Sequence, residues 1–329
     1  LGARAVRASA IVTRSPIFYG WIILVAAGVG RILTSPGQTY TVSIFIDHFM
    51  RDLGLSRSLV SALYLVGTLT GSLALPFVGQ QIDRHGPRLM VGAITALLAL
   101  ACVYVSFVQG AVTLAIGFVL IRMLGQGSLG LVCTNVVNHW WVRRRGTVLG
   151  LLGMVVSVLG TGTFPSLSNA LIAAYGWRVS YALLGLLVAA VMLPVGLIFF
   201  RRQPEDYGLL PDGQAPDGQA PDGQAPDGQA PDGRLPYGPE AVGEPTAAGA
   251  TGVDTEEHWT SREAIRTPAF WILAAGGVAM SALSTGLQFH MVSIFDDAGM
   301  SAATAAAAFM PLAITGAVVR VISGVLVDR

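Results

Sequence analysis

The stretch GQQIDRHGPR, residues 79–88, has the pattern G-x-x-x-D-R-x-G-x-R, and its first part returns as GVLVDR at 324–329. Each copy stands where an apolar stretch ends, and each closes the second apolar stretch of its own set. One hexapeptide is weak evidence. Two at matched places indicate an internal repeat, with two homologous helical halves. Gly79, Gly86 and Gly324 let helices approach closely. Asp83 and Asp328 suit a position beside a positive helix N-terminus. Arg84, Arg88 and Arg329 can pair with carboxylates or helix-end carbonyls. These eight are candidate gating residues, whose contacts would hold one side of a bundle closed until the halves rock.

The apolar stretches are long enough to span a bilayer, at about 20 residues each. They lie at 17–46, 57–81, 87–108, 111–138, 146–172 and 177–200, then at 269–295 and 302–327. The chain of 329 residues is 53% hydrophobic and 12% charged, with a mean hydropathy of +0.62. Soluble domains carry about 25% charge, so the expected fold class is an all-α membrane protein. The formal net charge of +1 gives no field for nucleic acid. The start resembles a signal peptide, but its apolar stretch lacks a clean cleavage site and reads as the first span. The missing initial Met suggests a trimmed chain.

The expected organisation is an N-terminal six-helix half at 1–200, a cytoplasmic linker at 201–268 and two helices of a second half at 269–329. The linker holds PDGQA four times, at 211–230. With nothing apolar to bury, that segment is expected to be disordered. Thr260 and Glu263 have the spacing of a capping box at the start of a helix leading into the seventh span. Gly67, Gly71, Gly125, Gly127, Gly130, Gly146, Gly150 and Gly153 read as close helix packing. Cys102 and Cys133 lie within apolar runs and read as small packing residues. No metal spacing, nucleotide-binding loop, nucleophile elbow or H-E-x-x-H appears, so no cofactor and no enzymatic activity are expected.

Every basic residue is arginine. Arg4, Arg7, Arg14, Arg84, Arg88, Arg143, Arg144, Arg145, Arg201, Arg202, Arg262 and Arg266 fall on one side of the expected topology. Arg51, Arg57 and Arg178 fall on the other. The asymmetry places the N-terminus in the cytoplasm of a multi-pass protein of the plasma (inner) membrane. Three further arginines, Arg31, Arg122 and Arg320, lie within spans that hold no deep Asp or Glu. A charge at the bilayer centre costs about 2.5–3.5 kcal/mol even on lenient scales. Cations lining a cavity suit an anionic substrate. Asn135 and His290 are softer candidates for the same cavity.

The repeat resembles the signature loop of the major facilitator superfamily. Within it, SPGQTY (35–40), YGWRVSYALLG (175–185), RRQPEDYGLLPDG (201–213) and FHMVSIFDDAGMS (289–301) resemble the monocarboxylate transporter and oxalate–formate antiporter group. The resemblance implies twelve helices, of which this chain holds eight. It also implies alternating-access transport of a small carboxylate, as proton symport or in exchange for a counter-anion. Gln38 and Tyr40 match the family's substrate-contacting stretch of the first helix, and Arg320 its eighth-helix arginine. Arg122, in RMLGQG, is similar to a fourth-helix motif that serves architecture or coupling. Animal relatives carry an acid four residues before the eighth-helix arginine; here Gly316 stands there. An intramembrane enzyme and a transport-inactive sensor of the same fold are the rival readings.

The expected topology has a direct check. Cysteines placed at Gln214 and Gly110 should react with impermeant maleimide from opposite sides, Gln214 from the cytoplasm. Labelling of both from outside would refute it.

Overall fold

The computed structural model describes residues 12, 15–213, 263 and 265–328. The PDGQA copies beyond Gly213, Thr260 of the expected capping box, and Arg329 lie outside the described residues. Among the described residues, seven helical stretches are long and apolar enough to cross a membrane. They are α1 (Tyr19–Leu53), α2 (Arg57–His85), α3 (Pro87–Ser106), α4 (Ala111–Trp140), the stretch Arg145–Phe199, α7 (Pro268–Asp297) and α8 (Ala302–Val327). The stretch Arg145–Phe199 has 55 residues, which as one straight rod would measure about 80 Å, far beyond a hydrocarbon core of about 30 Å. Gly176 resolves the discrepancy. Its φ of 76° and ψ of 160° are not helical, and a positive φ suits glycine because it has no Cβ to clash. The chain turns there, giving α5 (145–175) and α6 (177–199).

Two compact units are present: Leu1–Pro216 with Leu283–Arg329, and Asp217–Ala282. In the first, the outward faces are apolar, with Leu65, Leu69, Leu73, Leu100, Val112 and Leu186 all exposed. The interior includes Ile23, Phe45, Phe49, Leu98, Phe118 and Tyr181. Such exposure is unfavourable in water and favourable in lipid. In the second unit, Trp271 Nε1 donates to Ile265 O at 2.8 Å, fixing the entry to α7.

The first helix is broken where SPGQTY begins. It runs Tyr19–Ile32, tightens to one turn at Ser35–Gly37 and resumes at Thr39–Leu53. Pro36 supplies no N–H to the ladder. Thr34 Oγ1 and Ser35 Oγ instead donate to Arg31 O and Ile32 O, at 2.7 and 2.5 Å. At this break α1 crosses α4 with almost no separation. A Cβ on Gly37 would collide with Ile121 O and stand 3.1 Å from Gly125 Cα. The α3–α6 pair is equally tight: a Cβ on Gly185 would meet Ala99 O and Cys102 Cβ, both at 2.8 Å.

Gly185→Val should therefore lower the thermal stability of detergent-solubilised protein by about 1–3 kcal/mol, the usual cost of overpacking. Gly79→Ala, where a Cβ would meet nothing within 4 Å, should leave it near that of the parent. Equal melting of the two variants would mean that the α3–α6 contact yields.

Candidate functional site

Arg122 illustrates how a charge is held in this interior without an acid. Only 5% of it is exposed. Nε donates to Thr68 Oγ1 at 3.0 Å, and Nη1 to Gly37 O at 3.2 Å and Thr39 Oγ1 at 3.4 Å. The guanidinium lies 4.8 Å from the centroid of the Tyr64 ring, close enough for a cation–π attraction. Tyr64 in turn donates to Thr39 Oγ1 at 2.8 Å. The carbonyl released by the α1 break is thus satisfied from α4, and α1, α2 and α4 are tied at one point.

Arg31 and Arg320 are arranged differently. They face a common cavity of about 250 Å³, whose walls include Gln38, Tyr40, Gln126, Thr161, Thr285 and Gln288. No carboxylate is among its lining residues. The ion pairs Arg57–Asp47 at 2.9 Å and Arg178–Asp52 at 3.1 Å do not involve these arginines. Arg320 Nη1 donates to Gly153 O at 3.2 Å. Arg31 also lines a neighbouring cavity of about 350 Å³ with Thr68, Ser72, Arg122 and Gln126.

Each arginine lies against a glycine of the facing helix. A Cβ on Gly130 would stand 2.7 Å from Arg31 Nη1, and one on Gly153 would stand 2.8 Å from Arg320 Cδ. In sequence these glycines read only as helix packing; here they also make room for the cations. Gly316 likewise approaches Ser157 Oγ, at 3.3 Å from its would-be Cβ, so the position offers no acid to Arg320.

Of the sequence candidates, Arg31, Gln38, Tyr40 and Arg320 meet at the cavity. Tyr40 is held by Ser35 Oγ at 2.9 Å, and Gln38 Nε2 donates to Thr34 Oγ1 at 2.9 Å. Asn135 lies elsewhere, lining a space of about 160 Å³ with Asp83, His139 and Arg202. His290 packs edge-on to Phe289, ring centroids 5.1 Å apart, and does not line the cavity. Gln126, Thr161, Thr285 and Gln288 were not singled out from sequence. Gln126 and Thr161 sit where α4 and α5 widen to π-helix, at Arg122–Leu129 and Ser157–Gly162. Such widenings often mark functional sites, but no residue pattern in the sequence announces them.

The two signature acids differ in their surroundings. Asp328 accepts from Gly146 N at 2.8 Å and Thr147 N at 2.6 Å. It thereby caps the start of α5 from α8, meeting donors that the helix itself leaves unpaired. Gly324 and Gly150 permit this approach, since a Cβ on Gly324 would meet Gly146 O and stand 3.2 Å from Gly150 Cα. Asp83 has an exposed carboxylate, and its backbone carbonyl accepts from Arg202 Nη2 at 3.1 Å. Around Gly79 and Gly86 a Cβ would meet nothing within 4 Å. Arg84, Gly86 and Arg88 line a separate cavity with Arg201 and Arg202. Asp212, in the first Pro-Asp-Gly, accepts from Val142 N, Arg143 N and Arg144 N at 3.1, 2.8 and 3.2 Å.

The Major Facilitator Superfamily model matches residues 27–329. A probable L-galactonate transporter of Escherichia coli (strain K12) is 29% identical over 171 residues, 50% of this chain and 36% of that protein. The riboflavin transporter RibJ of Trypanosoma cruzi (strain CL Brener) is 26% identical over 198 residues, 58% of this chain and 41% of its own. A triacylglyceride transporter of Mycolicibacterium hassiacum is 26% identical over 134 residues, 40% and 25% of the two chains. The matched regions span less than half of each of these relatives.

The hydrogen bonds from Thr147, through its side chain and its amide, hold the Asp328 carboxyl below the usual carboxylate range, with the Gly146 amide adding to them. A lowered folded-state value means that the cap contributes stability above the unfolded value of about 3.9. That stability is lost as pH falls through the lower folded value. Asp328→Ala should speed hydrogen exchange at the Gly146 and Thr147 amides at neutral pH. Acidification below that lowered folded value should do the same to the parent after correction for intrinsic exchange. Unchanged protection in Asp328→Ala would show that the cap does not hold these amides.

Proposed function

This chain belongs to the major facilitator superfamily, and from that premise we propose that it is the carboxylate-binding part of a secondary transporter working by alternating access. The observation that carries the reading is the pairing of Arg31 and Arg320 across one cavity with no acid among its lining residues. Two guanidinium groups facing one cavity repel each other, and an anion between them offsets that repulsion. A carboxylate supplies the missing charge, and the planar donor fork of arginine matches its two oxygens. One of the relatives is named for galactonate, a carboxylate.

The remaining lining groups refine the substrate. Gln38 and Gln288 each spend an amide N–H on a hydroxyl one turn earlier, Thr34 Oγ1 at 2.9 Å and Ser284 Oγ at 3.1 Å. Their amide oxygens are thereby left to accept. A bare alkyl carboxylate offers nothing to donate to them, whereas a hydroxylated acid such as lactate does. These side chains are half-buried, and a substrate hydroxyl that meets such acceptors adds a hydrogen bond, so a lactate-like monocarboxylate fits better than formate or propionate.

The arginine tally supports a cytoplasmic N-terminus in a plasma (inner) membrane, and the α5–α8 contact then forms part of the inner gate. Asp328 on the α5 amides is its polar element, and the Gly146, Gly150 and Gly324 crossing its apolar one. Proton symport is the favoured coupling, with counter-anion exchange as the second reading, favoured by Gly316 standing where relatives carry the coupling acid. A sensor of the same fold would bind the same anion without moving it.

The test is binding and counterflow in proteoliposomes. Arg320→Ala should weaken lactate binding by about 3 kcal/mol, roughly 100-fold, the scale of lost charged hydrogen bonds. Arg320→Lys should recover little of it, because the charge returns without the fork. Lactate should exceed propionate in affinity, and Gln288→Leu should reduce that preference. Near-parent lactate affinity in a folded Arg320→Ala protein would overturn the assignment.

A further inference from the structure

A second arginine cluster lies at the end of the bundle formed by the α2–α3 connection and the end of α6. There Arg84, His85 and Arg88 meet Arg201 and Arg202 around a cavity of about 230 Å³. No acid is among the residues that line it. Solvated arginines at a membrane face are ordinary and need no ligand. Arg201 is not of that kind, because it is only 7% exposed.

The burial of Arg201 has a local origin. Trp140 Nε1 donates to Arg201 O at 3.4 Å, and Tyr19 Oη donates to Phe199 O at 2.9 Å. These bonds fix the chain leaving α6 against α1 and α4 and turn the arginine inward. Its Nη1 donates to Phe200 O at 2.8 Å. The rest of the guanidinium has no hydrogen-bond partner among the described residues and borders the cavity. A buried cation with unused donors costs free energy unless an anion meets it.

We propose that this cavity binds a phosphate-bearing anion, with Arg201 as its buried anchor and Arg88, Arg84 and Arg202 as the outer clamp. The natural source is the headgroup of an anionic phospholipid. The cavity lies where α2 and α6 end, the level at which membrane spans meet headgroups, and basic pockets between helices take such groups. Guanidinium groups converging from the α2–α3 connection and from α6 suit a tetrahedral oxyanion, which offers oxygens in several directions. The site shares Arg84 and Arg88 with the signature loop, so an occupant would also fix that loop to α6. This assignment is independent of the substrate cavity and stands whether or not Arg320 binds carboxylate.

The experiment compares the full chain in nanodiscs of phosphatidylcholine alone with nanodiscs that also contain phosphatidylglycerol. A third arm adds inorganic phosphate to the phosphatidylcholine discs. Retained lipid is read by native mass spectrometry and stability by thermal unfolding. The expected result is selective retention of phosphatidylglycerol with a raised unfolding temperature. Arg88→Gln, on the exposed rim, should lower the apparent lipid affinity about fivefold, the share of one interfacial arginine. Arg201→Gln should lower it further. If Arg201→Gln fails to fold, Arg88→Gln and Arg84→Gln carry the test alone. Arg143→Gln, on an exposed arginine outside the cavity, should change nothing. Stabilisation by inorganic phosphate that Arg88→Gln abolishes would identify a soluble phosphate compound as the source. No response to either anion, or an equal loss in Arg143→Gln, would overturn the proposal.

Discussion

The guanidinium of Arg122 is the point on which the N-terminal helices depend. The break at Ser35–Gly37 leaves Gly37 O without a helical partner, and an unpaired carbonyl is costly in lipid. Arg122 donates to that carbonyl, to Thr39 and to Thr68, and it lies over the Tyr64 ring. Because the break is satisfied, α1 can change course in the middle of its span. That change places Arg31 before the break and Gln38 and Tyr40 after it on the walls of one cavity.

The same logic of close backbone approach operates between α5 and α8. Gly146, Gly150 and Gly153 give α5 a face without side chains, and α8 lays Asp328, Gly324 and Arg320 along it. Three consequences follow from one helix contact. Asp328 reaches the amides at the start of α5, the backbones touch at Gly150 and Gly324, and Arg320 crosses Gly153 into the cavity. In the proposed transport cycle such a contact would be made and broken repeatedly. A carboxylate held by two exposed amides and a crossing of glycines release with less loss than interlocked large side chains would.

Nearby, the α4–α5 connection is gripped from a second direction. Asp212 and Asp328 together accept from the amides of Val142, Arg143, Arg144, Gly146 and Thr147. Within six residues, one carboxylate from the segment after α6 and one from the end of α8 share the available donors. Any movement of α8 away from α5 therefore removes one of two anions from the same short connection.

By itself the sequence determined the bilayer as solvent, the spans and the repeated acid at 83 and 328, because apolar length, turn chemistry and period are local properties of the chain. It also picked out Arg31, Arg122 and Arg320 as costly, since any charge inside a span is costly wherever it points. The family resemblance gave Arg122 and Arg320 different expected roles, and only the tertiary structure shows what each of the three touches. Arg122 is spent on a carbonyl freed by the α1 break, while Arg31 and Arg320 meet across a cavity, each making its way over a glycine. The break at Gly176 that divides 55 residues into two spans was legible, because span length limits a helix. The approach of Asp328 to Gly146 was not, because it joins residues 182 positions apart. Gln126 and Thr161 escaped notice for the same reason, as did the burial of Arg201. Whether a polar side chain meets water, lipid or another side chain depends on which helix faces it, and no local pattern records that neighbour.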